Sequence, residues 1–218
     1  MWSLKHNRSE ILPQTAGAVS QWNRQGVALL TGSSGIFPLS HRWQFGLVQR
    51  GFYIHTIDCA IRFDAYAIAE EALRHGISPE DIHDRITVSR CFTPYQILDE
   101  MRSVLETGYN KGETGKIYFI LAPSKQFFDG DVAKDEGAFL LGKLSAIFGE
   151  IRKKSVPLMV VEKESYSHPA FLAFIKHTKE IAQPLFQLTA AAAPGSRHAR
   201  EIKKIYSVRI AGPMGEIA

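Results

Sequence analysis

Apolar positions fall into two patterns along this chain. Short unbroken runs alternate with longer stretches in which apolar residues recur every three or four positions. The runs at 27–31 (VALLT), 52–57 (FYIHTI), 85–90 (RITVSR), 116–122 (KIYFILA) and 156–162 (VPLMVVE) predict strands. The stretches at 63–76, 93–108 and 135–155 predict helices. Gly76 and Gly108 stand where helix-ending glycines belong, and Thr93 and Pro94 suit an N-cap and first helical position. Arg152, Lys153 and Lys154 close the third helix, as its dipole favours. Such alternation predicts an α/β fold with a mainly parallel sheet and helices on both faces, because parallel strands need crossover connections. Runs at 184–189 and 203–210 add two strands, expected as a β-hairpin or antiparallel strands near the C-terminus, with a loop at 190–200 between them. The stretch 9–24 reads as a short helix on the edge. No linker divides the chain, so a single domain is expected over 1–218: an N-terminal edge segment (1–25), a core (26–189), and a C-terminal loop and strand (190–218).

Composition adds little to that picture. The 218 residues are 45% hydrophobic and 22% charged, enough to build a core. Lys plus Arg number 26 against 22 Asp plus Glu, a net charge of +4 that permits an anionic partner without requiring one. The two cysteines, Cys59 and Cys91, have no metal-ligand spacing and predict reduced, partly buried thiols. No apolar run approaches the ~20 residues that span a bilayer. The N-terminus, MWSLKHNRSEILPQ, lacks an apolar signal core. No membrane partner is expected, and the location is expected to be cytoplasmic. His55, His75 and His83 share no helix face with carboxylates at ligand spacing, so no metal site is assigned. No nucleophile-elbow pattern supports a Ser/His/Asp relay.

Ligands of open α/β sheets bind outside the carboxyl ends of the strands. That directs attention to the loops at 32–38, 57–62, 90–93, 122–135 and 162–178. The first of them lies in GVALLTGSSGIFPLSHRWQFGLVQRG (26–51), which opens like a phosphate-binding strand–loop–helix. A working loop follows Gly-x-x-x-x-Gly-Lys-Ser/Thr, with lysine on the phosphates and the hydroxyl on Mg²⁺. Starting the frame at Gly32 puts Phe37 at the second glycine, Pro38 at the lysine and Leu39 at the hydroxyl. The cation, the N–H donor and the metal ligand are all missing. What remains is a relic loop, Gly32, Ser33, Ser34, Gly35 and the displaced Ser40, whose helix N-terminus is able at most to hold a weakly bound anion.

The segment 52–101 carries a family resemblance. YIHTID, RFDAYAIAEEALRHGI, DRITVSRCF and TPYQILDEM follow the order and spacing of strand ends and helices in the RecA/RadA recombinase ATPase core. The resemblance is good over about fifty residues and weaker from about Gly26 to Leu188. It implies a RecA-like fold. It also implies three hydrolytic elements: the phosphate loop, a carboxylate after the second strand that activates water, and an aspartate ending the fourth strand that supports Mg²⁺. The ungapped frame places Ile57 at the second element, with Asp58 adjacent as a weak catalytic candidate. At the third, YFILAPS (118–124) has Ala122 and Pro123. Phosphoryl transfer rests on positioning and on charge neutralisation by lysine and metal. A domain without them is expected to be inactive and to need no cofactor, the alternative being a divergent ATPase that binds ATP and Mg²⁺ and uses Asp58.

The family's DNA-contacting loops follow the fourth and fifth strands, here 124–139 and 163–180. The first mixes cations and phenylalanines with four acids. The second carries Lys163, Tyr166, His168, Lys176 and Lys179, the mixture of cations and aromatics that single-stranded DNA favours. Phe171, Phe174 and Ile175 in the same stretch also fit the apolar face of a short helix. The resemblance implies a binding or assembly accessory in DNA recombination or repair, with a protein partner such as an active recombinase or polymerase relative, or self-assembly into an oligomer. The alternatives are the divergent ATPase and a direct single-strand binder.

Overall fold

The computed structural model describes residues 17–108, 115–129, 132–191 and 205–211. Its centre is a parallel sheet of β1 (Val27–Gly32), β2 (Tyr53–Asp58), β3 (Ile86–Arg90), β4 (Lys116–Leu121), β5 (Leu158–Lys163) and β6 (Leu185–Ala191). The strand order is β3-β2-β4-β5-β1-β6, so β1 is interior, flanked by β5 and β6. A seventh strand, β7 (Ile205–Ala211), pairs antiparallel with β6.

The strands sort their side chains by alternation. Ala28, Leu30, Phe119, Leu121, Met159 and Val161 face one core with α1 (Ile36–Val48), α2 (Ala65–Arg74) and the short α3 (Pro79–His83). Leu29, Tyr118, Ile120, Leu158 and Val160 face the other with α4 (Pro94–Thr107), α5 (Lys134–Lys153) and α6 (Pro169–Ile181). Both faces are covered, as a parallel sheet requires.

Local chemistry sets the helix ends. Asp64 caps α2 by accepting from Ala67 N–H at 3.1 Å, and Thr93 caps α4 by accepting from Gln96 N–H at 3.2 Å. After α2 the chain turns through Gly76 at φ +69, with Gly76 N–H on Leu73 O and Ile77 N–H on Ala72 O. That pair of bonds is the Schellman ending a left-handed glycine permits. The edge helix expected at 9–24 is, over its described part, a 3-10 turn at Ala18–Gln21; residues 1–16 lie outside the described residues. Of the loop expected at 190–200, positions 190–191 continue β6 and the rest lies outside them. Helix α3, which no apolar repeat announced, starts on Pro79 with Glu80 and Asp81 in its first turn. Among the described residues no helix is long and apolar enough to cross a membrane.

Candidate functional site

The turn from β1 to α1 is only three residues long, Ser33, Ser34 and Gly35. Gly35 caps the helix at φ +79, a backbone state that favours glycine. Phe37 and Pro38 therefore lie inside the first helical turn. Phe37 packs its ring against the core, and the Arg62 guanidinium stands over it, 5.5 Å from the centroid. Gly32 has a packing reason to be glycine: a Cβ there would lie 2.5 Å from Leu188 O on β6 and 3.1 Å from the Leu188 side chain. Ser40 lies within α1, fully buried, and its hydroxyl donates to Phe37 O at 2.7 Å. Ser33 is exposed and Ser34 half-buried. The residues around this turn do not fit Mg·ATP: a phenyl ring and a proline occupy the frame's glycine and lysine positions.

Asp58 ends β2 and is 1% exposed. Its Oδ1 accepts from Ala60 N–H at 3.3 Å and Arg62 N–H at 2.8 Å, and its Oδ2 from Phe63 N–H at 3.1 Å. Both oxygens thus wrap the β2–α2 loop. The loop holds Ile61 at φ +53, a costly state for a β-branched residue that such surroundings impose. Two contacts seat it on α1. Asp64 N–H donates to His41 Nε2 at 3.3 Å, and the His41 ring meets Phe63 edge-on at 5.5 Å. Burial pushes the His41 pKa down to about 4, against weaker attraction from Asp64 and Asp58, so the imidazole is a neutral acceptor at pH 7.

At the end of β4 stand Ala122, at φ +50, and Pro123, which offer no metal ligand. The carboxylate of this region comes from β5 instead. Glu162 is 2% exposed and registers with Thr31 on β1. Its Oε2 accepts from Ser124 N–H and its Oε1 from Lys163 N–H, each at 2.9 Å. Burial raises its pKa to about 7, with those hydrogen bonds opposing the rise. The sequence signal was a single acid at the end of an otherwise apolar run.

The residues proposed for single-stranded DNA are only partly presented. Lys163 and Lys176 are exposed. Tyr166 is half-buried, its ring 5.2 Å from both Phe128 and Phe171. His168 caps α6, accepting from Ala170 N–H at 3.2 Å, with its ring 5.0 Å from Phe128. Lys179 pairs with Glu164 at 2.9 Å, and Glu164 also accepts from the Thr31 hydroxyl at 3.0 Å. Phe171, Phe174 and Ile175 are core residues. The two aromatics stack on protein, and the loop is tied to β1.

One constellation with the residue types of a hydrolase is excluded by geometry. His55 Nε2 meets both Ser89 Oγ at 2.8 Å and Glu100 Oε1 at 3.2 Å. A relay needs nucleophile and acid on opposite ring nitrogens, and here they compete for one. Among the described residues no cluster of three or more His, Cys, Asp or Glu side chains is placed to hold a metal ion. A polar groove of about 390 Å³ opens at the opposite, amino-terminal edge of the sheet, beside Gly26, Arg152 and Gln183. The chain matches no family model and no curated protein.

Proposed function

We propose that this chain is a RecA-like domain that has lost ATP hydrolysis and works as a binding and assembly accessory in DNA recombination or repair. The observation that carries the loss of hydrolysis is the β1–α1 turn: three residues long, then Phe37 and Pro38 already helical, with Arg62 stacked on the phenyl ring. Without a lysine or a metal ligand there, the charge neutralisation that phosphoryl transfer depends on is absent. Two further points support the reading. The carboxyl ends of β1, β2, β4 and β5, where this architecture binds ligands, carry structural contacts in place of hydrolytic groups. Large apolar side chains stay exposed near that edge, including Ile61 and Phe92, as a protein-binding surface would need.

The partner in this reading is an active recombinase or polymerase relative, or further copies of the chain. The DNA role rests on the sequence resemblance. Turnover of ATP by the pure protein, with and without single-stranded oligonucleotide, tests the proposal. Release of phosphate at the no-protein background is the expected result. Release that scales with protein and is abolished by Asp58→Ala would establish the divergent ATPase instead.

A further inference from the structure

The sequence separates Cys59 and Cys91 by a helical crossover, but the sheet puts them side by side. Strands β2 and β3 run parallel in register from Ile54↔Ile86 to Asp58↔Arg90, and one step further is Cys59 opposite Cys91. The ladder still holds there: Cys91 N–H donates to Asp58 O at 3.1 Å, and Cys59 N–H to Leu121 O on β4 at 3.1 Å. Both side chains belong to the core cluster on the α4 and α5 face, so they leave the sheet on the same side. Both thiols are free. Neighbouring strands lie about 4.8 Å apart, within the Cα separation of about 4.4–6.8 Å that a disulfide spans.

We propose that Cys59 and Cys91 are a modification site, forming a reversible intrachain disulfide that clamps the carboxyl ends of β2 and β3. The oxidant is a small-molecule disulfide such as oxidised glutathione. Cys91 directly follows the edge strand β3 and precedes the exposed Phe92; both thiols are buried, but Cys91 is 4% exposed where Cys59 is wholly covered, so Cys91 reacts first. Its thiolate attacks one glutathione sulfur, the glutathione S–S bond breaks, and one glutathione thiolate leaves. Cys59 then gives up its proton to solvent and displaces the second glutathione from Cys91. Two protein S–H bonds are lost, one protein S–S bond forms, and one small disulfide is reduced to two thiols.

Burial is the main cause that raises both thiol pKa values, that of Cys91 to about 11; the charges of the Cys91 thiol, Asp58, Glu162 and Glu100 add to it at Cys59, and those of Glu100 and Asp58 at Cys91. Thiolate is the reacting form, so the first step is slow near neutrality and speeds up about tenfold per pH unit on the way to that value.

The full chain is equilibrated in glutathione redox buffers, quenched with acid and weighed intact, then mapped by peptide mass. The expected product is a monomer lighter by two hydrogens, with the peptides holding Cys59 and Cys91 joined. Its equilibrium constant in the native chain is expected to exceed that of the same chain in concentrated urea by at least about tenfold, since a disulfide that fits the fold stabilises it. An equal or lower constant in the native chain, or glutathione adducts that persist on the cysteines without resolving, would overturn the proposal.

Discussion

Glu162 shows what a single buried charge does to this fold. Its carboxylate is held by two backbone N–H groups, and burial lifts its pKa from 4.5 to about 7. The unfolded chain therefore ionises first as pH rises. The group's stabilising contribution is complete below about pH 4.5 and is lost as pH climbs towards 7. Replacing it by glutamine removes that dependence. In urea unfolding at several pH values, Glu162→Gln should gain on the parent by on the order of 3 kcal/mol between pH 4.5 and 7.5, at one pKa unit per about 1.4 kcal/mol. A difference that stays flat with pH would contradict the assignment. Asp58 contributes through its hydrogen bonds: both its oxygens are used by the loop it closes. Asp58→Ala leaves Ala60, Arg62 and Phe63 N–H groups without their acceptor and should lower stability by about 2–3 kcal/mol, by the usual cost of unmet buried donors. Asp58 was visible in the sequence as either a turn carboxylate or a base, and its three backbone partners match the turn. Glu162 was not visible as special, because a residue near the end of a strand is buried only if neighbouring segments cover it.

At the scale of elements, the β1–α1 connection is held by β6 as much as by its own residues. Gly32 is pressed against Leu188 O, so Gly32→Ala should destabilise the fold by about 2–3 kcal/mol, measured by denaturant midpoint, chiefly through overpacking. A neutral substitution would mean that the glycine has no packing role. The strands and the helices α2, α4 and α5 were legible from apolar spacing, and the caps at Thr93 and Gly76 from residue type, because both are local; α6, a helix of 13 residues, lay within the stretch expected as a loop, with Phe171, Phe174 and Ile175 as its only sign. Strand order was not legible. It depends on pairings such as Leu29 with Val160 and Leu29 with Leu185, across more than a hundred residues, which no local pattern encodes. The neighbouring cysteines were hidden for the same reason. The packing of Tyr166 and His168 on Phe128 was hidden too, since aromatic residues in a loop read alike whether they meet a base or another ring.

At the scale of the molecule, a sheet architecture suited to a ligand at its carboxyl edge has that edge filled with its own contacts. Phe37 and Arg62 stack beside the β1–α1 turn, the Asp58 loop rests on His41, and Glu164 joins the β5 end to Thr31 and Lys179. In the function proposed above, such an edge belongs to a part that is assembled with others and does not turn over a nucleotide. Calorimetric titration of the pure chain with Mg·ATP tests this most directly. The account predicts no saturable heat up to about 1 mM, an affinity no better than about −4 kcal/mol. A micromolar, magnesium-dependent isotherm that disappears on Asp58→Ala would contradict it.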